Sequence, residues 1–240
     1  MKKYFSIFVL IAVFLPFTSM AQSSDFKVWS AVELNHKINK QWSFSMGQHF
    51  RLKKEASIVN PDDRILDSYI TQTEVTFEPA KRWDISLQLR YYRKVDDEGK
   101  RQGYDDLFRY RIGIQRMFKV PHGNLGLRLA FQDRKSLNRQ RFTDVDDWLD
   151  YGKRTKKIIR LKPSFEWKIK NWSYDPVFYS EFLRELGTPT AGNQSIRFGV
   201  GTKIKVVKNQ SISFRYFYET TNCTSCNAHV INLRYTFKTK

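Results

Sequence analysis

Apolar and polar residues alternate with a period of two along most of the chain. In the segment that starts at Trp42 and ends at Leu52, the even-numbered positions are mostly aromatic or aliphatic, and the odd-numbered positions are small or polar. Side chains of a β-strand point alternately to opposite faces of its sheet, so this pattern predicts a strand with one apolar and one polar face. The pattern recurs at 83–92, 108–115, 125–132, 160–169, 196–205, 212–219 and 231–238, and more weakly at 26–34, 69–78 and 173–183.

The length and the facial chemistry of these eleven segments favour a membrane-spanning barrel. About ten residues is the length of a tilted strand that crosses a bilayer. A soluble β-sandwich would alternate in the same way, but here the polar face is rich in arginine and glycine while the other face is almost purely apolar, as expected for a wet lumen surrounded by lipid. No segment has the pattern of an amphipathic helix, and no linker divides the chain. We predict an all-β fold, a single antiparallel transmembrane β-barrel of about 10–12 strands.

The connections between the segments alternate between short and long. The short ones centre on 35–41, 79–82, 120–124, 170–171 and 207–210, and the long ones cover 53–67, 95–106, 133–156, 184–194 and 220–229. Short turns on one rim and long loops on the other are typical of outer-membrane barrels. Such barrels normally have an even number of strands, with both ends on the periplasmic side. The odd count therefore predicts either that 26–34 is not a full strand, which leaves ten, or that a twelfth strand escapes the pattern.

The outward-facing residues are expected to contact lipid. Trp42 and Trp83 each open a strand after a short turn, and Trp167 and Trp172 flank another connection. These four tryptophans are predicted to form an aromatic girdle at one membrane interface. Gln88, the inward-facing neighbour of Leu87, is expected to lie in a wetter environment than Leu87. The mid-strand residues expected in hydrocarbon are Phe44, Leu87, Ile112, Leu129, Phe198 and Phe214.

The first 21 residues have the features of a secretory signal peptide. Lys2 and Lys3 precede an apolar stretch over residues 4–17, and small residues precede a cleavage site after Ala21. A membrane anchor is the alternative, but the apolar stretch is short for a transmembrane helix. We assign residues 1–21 to the signal peptide and residues 22–240 to the barrel domain, which we expect in the cell outer membrane.

Export changes the interpretation of the net charge, which is +18 from 42 Lys and Arg against 24 Asp and Glu. A chain this basic would otherwise suggest nucleic-acid binding, but nucleic acid is not an expected partner of an exported protein. The expected partners are the lipid bilayer, lipopolysaccharide and, during biogenesis, the barrel-assembly machinery. We expect the barrel to be a monomer.

The charged residues are segregated along the chain. Most acidic residues lie in the three longest connections, whereas the short turns carry lysine and arginine but no acidic residue. A basic lumen would favour anions if it is open, but the same side chains could instead form a network that fills and closes a narrow barrel. The basic residues expected to line the lumen are Arg51, Arg90, Arg109, Arg111, Arg128, Arg197, Arg215 and Arg234, with Arg160, Lys162 and Lys203 also inward. The acidic residues expected there are Glu74, Glu166, Glu181 and Glu219.

Few residues suggest covalent or metal chemistry. Cys223 and Cys226 share the last long loop, and in an oxidising compartment they are predicted to form a local disulfide. A redox-active pair would require a βαβ context, and a metal site would require a second pair of ligands, whereas only His229 is near. The acidic loop 144–150 lacks the glycine and final glutamate of a calcium-binding EF-hand loop. We predict no cofactor and no metal site. The loop at 144–150 is expected to be solvated.

The four histidines give weak support for catalysis. His36 and His122 are expected in short turns, and His49 has Ser45 on the same strand face. Strand geometry separates those two residues by about 13 Å, which is too far for a hydroxyl and its general base. We predict no catalytic residues.

Several short segments resemble a known family. They are Trp29, Lys40 to Phe44 leading to Phe50 and Arg51, Phe108 to Arg111, Pro176 to Phe182, and Asn232 to Phe237. Over nearly the whole mature chain they resemble the secreted family called domain of unknown function 2490, whose members are taken to be outer-membrane barrels. The resemblance implies the barrel fold and the outer-membrane location, and it implies no activity, ligand or catalytic residue.

The sequence thus predicts an outer-membrane β-barrel that is not an enzyme. Its lumen is expected to be either a narrow, porin-like pore that prefers anions or a closed structural barrel with a basic interior. An outer-membrane lipid-modifying enzyme is the alternative function.

Overall fold

The structure is a computed structural model that describes residues 25–54, 66–96, 103–142, 148–150, 155–170, 172, 174–187, 194–221 and 227–239. The predicted signal peptide at 1–21, most of the acidic loop 144–150, and the predicted disulfide between Cys223 and Cys226 lie outside the described residues. No described segment forms a helix long and apolar enough to cross a membrane.

The described residues form β-strands joined by turns. The strands are β1 Asp25–Lys37, β2 Trp42–Lys54, β3 Leu66–Ala80, β4 Trp83–Asp96, β5 Gly103–Val120, β6 Gly123–Phe142, β7 Trp148–Asp150, β8 Thr155–Trp167, β9 Pro176–Leu186, β10 Gln194–Val207, β11 Gln210–Thr221 and β12 Ala228–Thr239. The predicted all-β fold is confirmed, because all eleven alternating segments of the sequence are strands.

Eleven of these strands close into a barrel. Neighbouring strands pair in the order β5-β4-β3-β2-β1-β12-β11-β10-β9-β8-β6, and pairing of β5 with β6 completes the ring. The three-residue β7 pairs only with the end of β6, at residues 140–142. In the described part of the chain, the wall therefore has eleven strands.

Eleven strands lie within the predicted range of about 10–12, but the expectation that the number would be even, ten or twelve, was wrong. The segment at 26–34 is part of a full strand, β1, which pairs with β2 on one side and with β12 on the other. The β1–β12 pair is parallel, whereas the other pairs in the wall are antiparallel. A ring of antiparallel neighbours closes only with an even number of strands, so an eleventh strand requires one parallel seam. As a result, β1 begins at the rim of the long connections and β12 ends at the rim of the short ones.

The connections alternate as predicted, with different boundaries. The short rim has tight turns at 81–82, 121–122 and 208–209, but the β8–β9 connection spans 168–175 instead of 170–171. On the other rim, β5 and β6 extend through much of the predicted loops at 95–106 and 133–156. The sequence pattern did not predict these extensions, because charged residues lie on both faces of the strands there. Pairing with neighbouring strands still satisfies the backbone hydrogen bonds.

The outer surface of the barrel is an apolar belt. Five of the six residues expected to face hydrocarbon are exposed, with Phe198 at 53% and Ile112 at 52%, and Phe44 is partly buried. An exposed apolar surface of this extent is costly in water. The belt therefore requires an apolar surrounding such as the interior of a bilayer.

The inner surface is not uniformly wet. Gln88 was expected in a wet environment but is only 2% exposed, because it lies between the carboxylate of Glu74 and the guanidinium of Arg109. Inward apolar side chains also form two clusters near the long-connection ends of their strands. One contains Ile70, Tyr92 and Leu107, and the other contains Phe217, Ala228 and Val230 with Trp29 and Tyr179 packed against it.

Two leucines on β6 provide a test of the membrane-spanning height of the barrel. Leu129 and Leu137 are both half exposed, at 50% and 51%, but β6 has 20 residues and a tilted strand needs only about 9–11 to cross a bilayer. We expect Leu129→Arg to lower the free energy of unfolding by about 2–4 kcal/mol and Leu137→Arg to change it by about 0–1 kcal/mol, because only Leu129 is at mid-membrane depth.

Both variants should be unfolded by urea from lipid vesicles, with tryptophan fluorescence as the signal. Equal losses of stability for the two variants would contradict the placement of the membrane along β6.

Candidate functional site in the barrel lumen

The barrel encloses a cavity of about 660 Å³. Every one of the eleven wall strands contributes a side chain to it. Among the described residues, its wall carries ten arginines, two lysines and four glutamates. If these side chains are ionised as usual, the wall has twelve positive and four negative charges, an excess of eight positive charges. A site of this size matches the volume of small-molecule pockets, which is about 300–1,000 Å³.

All eight arginines that the sequence suggested for the lumen lie on this wall. They come from seven strands, and alternation brings them together because each occupies an inward position of its strand. They are Arg51 on β2, Arg90 on β4, Arg109 and Arg111 on β5, Arg128 on β6, Arg197 on β10, Arg215 on β11 and Arg234 on β12.

The four suggested acidic residues are divided between the cavity and a rim. Glu74, Glu181 and Glu219 lie on the cavity wall. Glu166 does not, because it lies next to the end of β8 at the short-connection rim. There it accepts a hydrogen bond of 2.6 Å from the side-chain amide of Asn124.

The four tryptophans of the predicted girdle lie near the short-connection rim. Trp42 stacks on Phe77 with ring centroids 4.6 Å apart, and the guanidinium of Arg116 lies 4.8 Å from the Trp83 ring. Trp167 ends β8, and Trp172 lies in the connection that follows it. Whether these rings meet a membrane interface stays a prediction.

The sequence analysis did not predict several residues of the cavity wall and its surroundings. Arg134, Lys156 and Glu185 lie on the cavity wall, on strand extensions that continue the inward parity of their segments. Glu33 is also buried. It lies in the segment 26–34, where the alternation of apolar and polar residues is weak because Ser30 and Ala31 interrupt it. Parity followed two residues beyond the predicted segments could have found Arg134 and Glu185. Lys156 lies four residues before its predicted segment, and Glu33 lies inside one.

Glu181 is the centre of the largest ion-pair network. It is 4% exposed, and its carboxylate accepts hydrogen bonds from Arg160 at 2.7 Å and from Arg197 at 3.2 Å. Arg128 lies 3.7 Å from the same carboxylate. Arg197 also donates to Glu219 at 2.9 Å. One buried carboxylate thus offsets three arginines from three strands.

A second network links β3, β4 and β5. Glu74 accepts a hydrogen bond from the side-chain amide of Gln88 and lies 3.6 Å from Arg111. The oxygen of the same Gln88 accepts a hydrogen bond of 2.9 Å from Arg109. Gln88 therefore uses its donor toward the acid and its acceptor toward a base.

The parallel seam has its own buried ion pair. Arg234 of β12 donates to Glu33 of β1 at 3.2 Å. His49 on β2 lies on the other side of Glu33, with Nε2 3.7 Å from Oε1. Near the rim, Nδ1 of His36 lies 2.9 Å from the Thr239 hydroxyl, so His36 belongs to β1 and not to a turn as the sequence suggested. His122 does lie in a turn, at a positive φ of 61°.

The described residues considered for catalysis, His49 and Ser45, do not form a catalytic pair. His49 faces Glu33 across the β1–β2 pair, whereas Ser45 pairs with Asn35 further toward the short-connection rim. Among the described residues, no three side chains of His, Cys, Asp or Glu are grouped closely enough to hold a metal ion.

Comparisons with known proteins agree with this architecture. The profile of the family described as "Protein of unknown function (DUF2490)" matches residues 26–229. No curated protein matches the sequence.

Two solved structures of similar fold are autotransporter domains. The translocator domain of autotransporter NalP from Neisseria meningitidis has a TM-score of 0.52 and 11% sequence identity, with 80% of this chain and 72% of that chain covered. The beta domain of the Bordetella autotransporter Brka has a TM-score of 0.50 and 12% identity, with 81% and 79% covered. At this level of identity the similarity concerns the fold, since function depends on the site and not on the architecture.

The Glu181 network gives a prediction about stability. Glu181→Gln should lower the free energy of unfolding by about 3–5 kcal/mol, because it leaves buried arginines without their counter-charge. Glu185→Gln, on the same strand, should cost about 0–1 kcal/mol, because its partner Lys156 has a side chain that is 33% exposed and water screens the pair. Urea unfolding of both variants measures the difference, and similar costs would show that the Glu181 network does not stabilise the lumen.

Proposed function

We propose that this chain, which belongs to the DUF2490 family of proteins of unknown function, is a narrow outer-membrane pore that favours anions. The observation that carries the proposal is the excess of eight positive charges on the wall of a cavity of about 660 Å³. Rings of basic side chains lower the barrier for negative charge in a pore, and low-dielectric walls focus their field.

The distribution of counter-charges supports an anion pathway. Glutamate carboxylates are paired with Arg128, Arg160 and Arg197 at Glu181 and Glu219, and with Arg111 at Glu74. Other wall cations, such as Arg134 and Arg215, form no ion pair with a described carboxylate. These cations need water or mobile anions for neutralisation, because a charge left unsolvated inside a protein is costly.

The outer-membrane location is part of the same proposal. It is supported by the exposed apolar belt, by the fold similarity to autotransporter domains, and by the signal peptide predicted from the sequence. We further propose that the barrel acts as a monomer, contacts lipid and lipopolysaccharide, and carries out no catalytic step.

The location can be tested by cell fractionation. The mature protein should sediment with the outer membrane and resist extraction by high salt and alkaline carbonate, because its apolar belt is held in the bilayer. Recovery in the soluble periplasmic fraction would contradict the proposal.

The ion preference can be tested in planar bilayers. The purified protein should conduct steadily, and its reversal potential in a potassium chloride gradient should show preference for chloride. Arg134→Glu combined with Arg215→Glu should weaken this preference, because it reduces the excess on the wall from eight to four positive charges. Lys81→Glu combined with Lys208→Glu changes the net charge equally in turns outside the cavity and should have a smaller effect.

Two results would contradict the pore. Cation-selective conductance of the unmodified protein would show that the basic wall does not control permeation. The absence of current from folded, inserted protein would favour the closed barrel, in which the same side chains fill the lumen.

A further inference from the structure

We infer that the lumen contains a binding site for a phosphate group, formed by Arg51, Arg90 and Arg109 around the ring of Tyr92. This inference deepens the proposed function and rests on it, because it names the class of anion that the basic lumen takes up. Long-range attraction by the wall would draw in any anion, whereas this cluster has the geometry to hold one.

The three arginines come from three strands and meet at one aromatic ring. The Arg109 guanidinium carbon lies 5.2 Å from the centroid of Tyr92, and that of Arg51 lies 5.6 Å from it. Arg90 reaches the hydroxyl of the same tyrosine at 3.5 Å. Arg51 also stacks on Trp29, at 4.1 Å from the ring centroid. Two aromatic faces thus hold the guanidinium planes in position.

The strand register makes this crowding unavoidable. Arg90 on β4 lies directly opposite Arg109 on β5, and like charges in directly opposite positions are destabilising. Arg109 is only 6% exposed, so water screens the repulsion poorly. A cluster of this kind is expected to recruit a negative charge.

No described carboxylate forms an ion pair with any of the three arginines, and their hydrogen-bond acceptors are neutral. Arg90 donates to the side-chain oxygen of Gln72 and Arg109 donates to that of Gln88. The Nε atoms of Arg51 and Arg109 are buried, and neither has an acceptor in the described structure. This contrasts with Glu181, where one carboxylate serves three arginines.

The number and shape of the free donors favour phosphate. A guanidinium group is a planar fork that matches the oxygens of a carboxylate or a phosphate in pairs. A carboxylate has two oxygens and can take one such fork in full, and at Glu181 these two oxygens are shared among three arginines. A phosphate group has more oxygens and can bind several forks. Three guanidinium groups gathered at one tyrosine ring, two of them with an Nε–H group that has no acceptor, therefore suit a phosphate better than a carboxylate or a halide.

The nearest acid of the β3–β5 network is already engaged. Glu74 accepts from Gln88 and pairs with Arg111, so Gln88 separates this carboxylate from Arg109. The carboxylate of Asp67 attracts Arg51 without forming an ion pair with it. The three arginines therefore lack a carboxylate partner at ion-pair distance, and a ligand with acceptor oxygens would supply one.

Phosphate binding can be measured without a membrane potential or a current. The full-length mature protein in a maltoside detergent should show a saturable change of tryptophan fluorescence with inorganic phosphate, since Trp29 lies against Arg51, and no such change with sodium chloride of equal ionic strength. Isothermal titration of inorganic phosphate into the same protein should give the same dissociation constant as the fluorescence change.

Variants can distinguish a specific phosphate site from general electrostatic attraction by the basic wall. Arg109→Gln and Arg51→Gln should each weaken phosphate binding by roughly tenfold or more, since a hydrogen bond to a charged group contributes about 1.5–3 kcal/mol. Arg109→Lys keeps the charge without the fork and should recover only part of the affinity. Arg116→Gln removes another arginine that stacks on aromatic rings but is not part of the cavity wall, and it should bind like the unmodified protein.

A cavity arginine far from the cluster provides the decisive comparison. Arg215 lies on β11, which is five strands from β4 and β5 and three strands from β2 around the wall, so Arg215→Gln should weaken binding much less than Arg109→Gln. Equal weakening by both would show diffuse attraction and overturn the site. The absence of saturable binding to the unmodified protein would also overturn it, while leaving any anion preference in bilayers intact.

The source of the phosphate can be distinguished in the same micelles. Competition between added phosphatidylglycerol and inorganic phosphate would assign the site to a lipid headgroup. Binding of inorganic phosphate without such competition would assign it to a soluble phosphate compound. Either result supports the phosphate chemistry of the cluster. Heat-modified mobility on electrophoresis should show that each variant is folded before it is compared.

Discussion

Closure of the sheet is the constraint on which the rest of the structure depends. In hydrocarbon, an unpaired backbone amide or carbonyl costs several kcal/mol, so a spanning sheet must have no free edge. With eleven strands this is possible only if two neighbours run in the same direction, and β1 and β12 satisfy the requirement through a twelve-residue parallel register. The buried Arg234–Glu33 pair then adds a side-chain interaction across the same seam.

Closure also explains the chemistry of the interior. Inward positions of eleven strands must share one narrow space, so arginines that are far apart in sequence become neighbours. The carboxylates are too few to pair with all of them, and they are unevenly distributed. Glu181 collects three arginines, whereas Arg51, Arg90 and Arg109 are left with aromatic rings and neutral amides. This uneven distribution gives the lumen both its overall charge and its local cluster of unpaired donors.

Much of the fold could be predicted because alternation has a strong physical cause. The apolar face of each strand lies on the outside of the barrel, so the outward direction of residues such as Leu129 and Phe198 follows from parity alone. The same parity identified all eight suggested lumen arginines. Parity predicts the direction of a side chain but not its depth or its neighbours. The prediction therefore failed at Gln88, which points inward but is almost fully buried. Glu166 also points inward but lies beside Trp167 near a rim, outside the cavity.

The sequence by itself determined that the chain forms β-strands, which two faces each strand has, and that the interior is basic, because these properties follow from local order along the chain. Only the tertiary structure decided the strand number, the parallel seam and the partner of each charge. The physical reason is that register between strands depends on long-range pairing, about which a period of two carries no information. The position of Arg90 opposite Arg109 and the convergence of three arginines on Glu181 are consequences of that register.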